Sequence, residues 1–147
     1  MKKWIFLFLF PIGVISCTPV EQVDVILSKH SNDSSKVVRQ FEVSDSDDSI
    51  PVFEIEYYNN GQVKMEGSLN AKGNREGIWK AYYPDGKLWS DGAFKDGKSH
   101  GKRTVYFENG QIQSLGEYTN GKQSGVWQFW DKNGKLLDEK KYNGSNH

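Results

Sequence analysis

The sequence has one cysteine, Cys17, and three histidines among its 147 residues. A single cysteine excludes an internal disulfide and any multi-cysteine metal site. The histidines lack the HxxxH type of spacing that zinc sites commonly use. Basic and acidic residues number 19 each, so the chain has no global field that would attract nucleic acid or anionic lipid. We therefore expect neither a disulfide scaffold nor a nucleic-acid-binding protein.

Local catalytic motifs are also missing. There is no Gly-x-Ser-x-Gly, no phosphate-cradling glycine loop and no histidine with an obvious carboxylate partner. An acidic stretch beginning at Asp45 places Asp47 and Glu56 as in a calcium loop, but Ile50 stands where the sharp turn requires glycine. We interpret it as a charged, solvated turn. We expect no enzyme activity, no cofactor and no metal.

A long apolar segment occurs only at the N-terminus. Lys2 and Lys3 precede an apolar run from Trp4 to Ile15. This run is too short to span a bilayer about 30 Å thick, which needs roughly 20 apolar residues. A positive start followed by a short apolar run is typical of a secretory signal peptide.

Residues 14–17, Val-Ile-Ser-Cys, resemble a bacterial lipobox, in which a small residue precedes an obligatory cysteine. The resemblance implies lipid attachment to the Cys17 thiol and cleavage before it. Residues 1–16 would be the lipoprotein signal peptide and residues 17–22 a lipidated tether. Acyl chains contribute about 0.8 kcal/mol per buried CH₂, which anchors a protein without spanning the membrane. We expect a bacterial envelope protein on the outer or inner membrane, facing the periplasm or the surface.

Glycine and aromatic residues are abundant, which favours strands and tight turns. Alternation of apolar and polar residues predicts strands at 23–28, 36–43 and 52–58. The last two are expected to form a hairpin around the acidic loop. We assign residues 23–56 to these N-terminal strands and that loop.

A tyrosine-rich segment with an Asn-Gly or Asp-Gly turn recurs along the rest of the chain. Its turn glycines are spaced 25, 24 and 24 residues apart: Gly61, Gly86, Gly110 and Gly134. A fixed period in this range is the signature of a repeat architecture. Each period holds two strand-like segments, and short Asn-Gly or Asp-Gly turns make neighbouring strands antiparallel. The sequence predicts an all-β fold over residues 57–147, an elongated single-layer antiparallel β-meander of two-strand repeats.

Even spacing within the strands predicts one face that carries both apolar residues and glycines. The expected apolar positions are Val63, Leu88, Ile112, Leu136, Leu69, Phe94, Tyr118 and Tyr142. The strand glycines are Gly67, Gly92 and Gly116. We expect each glycine to make room for a ring from the adjacent strand, drawn from the series Tyr82, Tyr106 and Trp130. Trp89 alternates onto the polar face and is expected to be exposed.

The unit Gly-x-Trp-x-x-(Tyr/Phe)-(Tyr/Trp)-x-x-Gly-x-Leu-x-x-x-Gly-x-Tyr-x-x-Gly-Lys-x-x-Gly resembles the MORN-repeat variants. Residues 77–101 and 101–125 match it nearly throughout, within a resemblance that covers residues 57–144. The resemblance implies a sheet used as a scaffold or interaction surface, and some bacterial members are labelled antitoxin-type proteins. The sequence departs at Arg103, where Trp79 and Trp127 stand in other copies. It also departs at Lys140, which replaces the strand glycine and suits a terminal capping unit.

We expect a membrane-anchored protein-interaction or envelope scaffold module with a protein partner. Candidate interaction residues lie where the copies differ, at Trp89, Arg103 and Leu115. One alternative is an immunity or antitoxin-type protein. It would act on an envelope or secreted toxin, because an exported protein cannot neutralise a toxin that acts in the cytosol. The other is a glycan- or peptidoglycan-binding module, in which exposed tryptophans stack on sugar rings.

Overall fold

The computed structural model of the chain describes residues 20–43 and 48–144. The predicted signal peptide and the predicted lipidation site Cys17 lie outside the described residues, as do residues 44–47 of the acidic loop. In the described ranges, no helix is long and apolar enough to cross a membrane.

Ten strands follow one another along the chain. They are β1 (Glu21–Lys29), β2 (Ser35–Val43), β3 (Ser49–Tyr57), β4 (Val63–Leu69), β5 (Arg75–Tyr82), β6 (Leu88–Lys95), β7 (Lys98–Tyr106), β8 (Ile112–Thr119), β9 (Lys122–Trp130) and β10 (Leu136–Asn143). They form one antiparallel sheet whose spatial order is the sequence order from β1 to β10. The predicted all-β meander is therefore confirmed, including the β2–β3 hairpin around the acidic loop.

The turns between repeat strands follow the Asn-Gly and Asp-Gly dipeptides. At Gly61 and Gly86 the backbone φ is +83° and +86°, a conformation that glycine adopts without a Cβ clash. The amide of Tyr58 donates to the carbonyl of Gln62 at 2.8 Å, and each later turn on this side repeats that bond. The repeat in the sequence therefore corresponds to a turn of the same geometry in each copy.

Side-chain hydrogen bonds join successive turns along one side of the sheet. Four of them link neighbouring repeats: Tyr58 Oη to Tyr82 O, Tyr83 Oη to Tyr106 O, Asn60 Nδ2 to Pro84 O and Asn109 Nδ2 to Lys132 O. His30 Nε2 donates to Tyr57 O at 2.9 Å, which ties the β1–β2 hairpin to the same row of turns. We call this row the turn ladder.

A β-bulge recurs near the start of β4, β6, β8 and β10. The register shifts leave one extra residue in each copy: Lys64, Trp89, Gln113 and Leu137. An extra residue interrupts the alternation of side chains between the two faces. Leu88 and Gly92 are therefore on opposite faces, although their numbers differ by four. Leu88 pairs with Tyr82, and the Tyr82 hydroxyl reaches Glu66, on the face opposite Gly67. The prediction that Val63, Leu88, Ile112 and Leu136 share the glycine face is wrong.

Candidate interaction surface

One face of the sheet carries the recurring tryptophan position on every second strand and a glycine on the strands between. The backbone register places these residues in one row across the strands: Gly67, Trp79, Gly92, Arg103 and Gly116. Trp127 continues the row from the next strand, opposite Lys140. We call the face that bears Trp79, Arg103 and Trp127 the tryptophan face.

The two tryptophans of this row lie on glycine backbone. A Cβ added at Gly67 would stand 2.4 Å from Trp79 Cγ, and one added at Gly116 would stand 2.2 Å from Trp127 Cδ2. Each indole is only 4% exposed, although the sheet has a single layer. Each also donates its Nε1 proton to a backbone carbonyl, Trp79 to Ser68 at 2.8 Å. The glycines therefore make room for rings, as the sequence predicts.

The predicted source of those rings, the series Tyr82, Tyr106 and Trp130, is wrong. Tyr82 and Tyr106 lie on the opposite face because each stands three residues after a row member of its own strand, Trp79 or Arg103. Their hydroxyls donate to Glu66 at 2.6 Å and Asp91 at 3.1 Å. We call this opposite face the tyrosine face. Burial and then the hydrogen bond to Glu66 raise the pKa of Tyr82 to about 12. Burial and the charge of Asp91 raise the pKa of Tyr106.

Each tryptophan of the tryptophan face has its own aromatic surroundings. The Trp127 ring centroid lies 5.2 Å from that of Tyr118, edge to face, and Phe129 and Tyr142 complete the cluster. The Arg75 guanidinium stacks over Trp79 with its carbon 4.2 Å from the ring centroid. Arg103 stands between these two groups in the row.

Arg103 takes the place of a tryptophan without taking over its contacts. Its Cγ lies 3.5 Å from the position of a Cβ at Gly92, so the aliphatic part of the side chain runs along that glycine. Its guanidinium makes no hydrogen bond or ion pair with another described residue. Arg39, in the same row, differs because its guanidinium binds Glu54, with Nε at 2.9 Å from the carboxylate.

A small cleft of about 90 Å³ lies beside Arg103 on the tryptophan face, with aromatic walls from Trp79, Trp89 and Phe94. The side chains of Arg75 and Arg103 line it, and no acidic residue does in the described part of the chain. The cleft is thus an apolar depression with positive charge. A larger, more open hollow of about 390 Å³ lies among the turns, around Tyr83, Phe107 and Lys132.

The structure separates the three residues singled out from the sequence. Trp89 is 41% exposed, as predicted, but it lines the cleft with Arg103 because the bulge interrupts its alternation. Leu115 is half-buried and pairs with Thr104 and Gln128, on the tyrosine face. Trp89 and Arg103 therefore form one surface, and Leu115 does not belong to it.

Arg75 is a further residue of this surface that was not among the candidates from the sequence. The equivalent positions of the next two copies hold Ser99 and Gln123, so comparison of the copies could have marked it as it marked Arg103. For the described ranges, no group of histidine, cysteine and acidic side chains is arranged to hold a metal.

An open sheet with a two-strand period and stacked, repeated contacts defines a β-repeat protein. Four stretches match the family described as MORN repeat variant: residues 54–71, 75–96, 99–120 and 123–143. They cover more than half of the chain, which therefore belongs to the MORN repeat variant family. Its repeats suggest a binding or scaffold module, and the family is generally non-catalytic. No curated protein matches the chain.

Proposed function

We propose that the chain is a lipid-anchored envelope protein whose repeat sheet binds a protein partner. The observation that carries this proposal is the tryptophan face, where exposed Trp89 adjoins Arg103, whose guanidinium has no partner among the described residues. Tryptophan and arginine are the residue types most enriched among those that dominate binding energy in protein interfaces. A single-layer sheet leaves such a surface open to a large partner.

Rigidity of the face supports the same function. Trp79 and Trp127 are held against glycine backbone and by indole hydrogen bonds, so the surface around Trp89 is ordered before a partner arrives. Binding to a preorganised surface loses less conformational entropy than binding to a mobile one.

The anchor fits the position of the first strand. Strand β1 begins at Glu21, four residues after Cys17, and four extended residues span at most roughly 14 Å. A lipidated Cys17 would therefore hold the N-terminal edge of the sheet close to the membrane surface. Metabolic palmitate labelling of wild type and Cys17→Ala tests this part: label only on wild type is expected, and equal labelling would refute the anchor.

A photo-crosslinking amino acid placed at Trp89 tests partner binding in cells. The same amino acid at Leu115, on the tyrosine face, is the matched control. A defined protein adduct from position 89 that is absent or much weaker from position 115 is expected. Equal adducts from both positions would contradict binding by the tryptophan face, and no protein adduct from either would contradict the protein-partner function.

A glycan partner is the competing function, because an exposed tryptophan such as Trp89 can stack on a sugar ring. Retention of the full chain on purified peptidoglycan, lost on Trp89→Ala and without any protein adduct, would favour the glycan and overturn the protein partner.

A further inference from the structure

We propose that the cleft between Trp79 and Arg103 is a docking site for the carboxylate of an acidic side chain in a partner protein. This inference rests on the proposed function and specifies its chemistry. Arg103 and Arg75 are the binding cations, and Trp79, Trp89 and Phe94 are the apolar walls.

Charge complementarity identifies the ligand as an anion. The side chains of Arg75 and Arg103 and no acidic residue line the cleft among the described residues, whereas the whole chain has no excess of either sign. The same row already contains an arginine satisfied by a carboxylate, Arg39 with Glu54. Arg103 is half-buried like Arg39, but no carboxylate among the described residues forms an ion pair with it.

The chemistry of the cations favours a carboxylate. A guanidinium offers a planar fork of N–H donors that matches two carboxylate oxygens, and it is weakly hydrated, so it keeps this ability on an apolar surface. Arg75 is already fixed over the Trp79 ring at 4.2 Å, which leaves its N–H edge available for a ligand.

The shape of the cleft suits the end of a side chain. It is a small depression of about 90 Å³ between aromatic walls, and a carboxylate group has only three heavy atoms. An aspartate or glutamate side chain can therefore reach Arg103 while the neighbouring peptide passes over the exposed Trp89.

Binding can be measured with two short probes, acetyl-Gly-Glu-Gly-amide and the same peptide with glutamine. The full chain, kept in a neutral detergent, is titrated while NMR follows the indole N–H signals of Trp79 and Trp89. The glutamate peptide is expected to shift both signals saturably and to bind at least tenfold more tightly than the glutamine peptide. Equal binding of the two peptides would overturn the proposal. N-acetylmuramic acid is the third probe, and tighter binding of it would overturn the peptide assignment in favour of a glycan.

The decisive variant is Arg103→Trp, because it restores the residue that two other copies already accommodate. It removes the charge and is expected to fold, which the indole signal of Trp127 verifies. Loss of glutamate-peptide binding by at least tenfold is expected, with a smaller loss in Arg103→Lys, which keeps the charge and loses the fork. Unchanged binding in Arg103→Trp would show that Arg103 only covers Gly92.

Crosslinking from position 89 in cells separates this inference from the proposed function. If wild type captures a defined protein and Arg103→Trp captures it equally, the carboxylate site is wrong while the protein-binding function stands. If wild type captures no protein, the proposed function itself fails. Capture by wild type that is lost in Arg103→Trp and retained in Arg103→Lys supports both.

Discussion

The indole of Trp127 lies on the backbone of Gly116 so closely that a Cβ at Gly116 would stand 2.2 Å from Trp127 Cδ2. Trp79 and Gly67 make the same contact two repeats earlier in the chain, at 2.4 Å. In a single-layer sheet there is no second layer to bury a large ring, so glycine supplies the space within the layer itself. The contact between these two residue types therefore replaces a conventional core.

We predict that Gly116→Ala destabilises the sheet because the added methyl group displaces the Trp127 ring. Overpacking of this kind costs about 1–3 kcal/mol, and the midpoint of urea unfolding should fall accordingly. Gly116 does not have positive φ, so the effect would report the ring contact and not backbone strain.

Gly92→Ala is the matched control for that prediction. At Gly92 the nearest side-chain atom to an added Cβ is Arg103 Cγ at 3.5 Å, an ordinary contact with a flexible side chain. We expect a change within about 0.5 kcal/mol. Equal destabilisation by both variants would contradict the account of the tryptophan face.

The strands and turns of this fold could be predicted from the sequence because Asn-Gly and Asp-Gly dipeptides mark turns locally. The partner of each glycine could not be assigned from residue type alone, since it depends on the register across a turn. Gly67 faces Trp79, which the length of the intervening turn determines. Lys140 replaces the glycine on β10, the outermost strand of the described sheet, where no further described strand places a ring against it.

The cleft beside Arg103 could not be predicted from the sequence for a different reason. The bulged residue is a lysine, a tryptophan, a glutamine or a leucine in the four copies, so no shared chemistry marks it. Alternation therefore placed Trp89 on the wrong side of the sheet. The sequence shows that Arg103 replaces the tryptophan of other copies. Only the strand register shows that Trp89 lies beside it.

The turn ladder leads to a stabilising substitution. Tyr58 and Tyr83 each donate a hydroxyl to the next repeat at 2.8 Å, whereas Phe107, at the equivalent position, has no hydroxyl. Phe107→Tyr is expected to add a bond to the carbonyl of Trp130 and to stabilise by about 0.5–1.5 kcal/mol. Tyr83→Phe should destabilise by a similar amount, and urea unfolding of both variants measures the pair. No gain from Phe107→Tyr would show that the ladder is not continued at this turn.

Tyr82 gives a pH dependence at the alkaline end. Its pKa is raised to about 12 in the folded chain from an ordinary value of 10.0. Between these values the unfolded chain has lost the phenol proton and the folded chain keeps it, so stability falls as pH rises. The contribution of Tyr82 is therefore complete below pH 10 and disappears as pH approaches 12.

Comparison with Tyr82→Phe isolates that contribution from other groups that titrate above pH 10. The stability advantage of wild type over the variant should shrink between pH 10 and 12, and the phenolate absorbance of Tyr82 should appear last among the tyrosines. An advantage that is constant with pH would contradict the raised pKa of Tyr82.

The two edges of the described sheet differ in their protection against association. The outer strand β10 carries a run of exposed charged residues from Asp138 to Lys141. The other edge strand, β1, exposes Val25, Ile26 and Leu27 in succession. Unpaired edges with exposed apolar residues promote pairing between chains, and a lysine blocks it.

We expect Val25→Lys to lower concentration-dependent association of the full chain, measured by light scattering in detergent at fixed temperature. Leu137→Lys on the already charged edge is the control and should change association little. An equal effect of both would contradict a preference for β1, and no effect of Val25→Lys would show that β1 is not the associating edge.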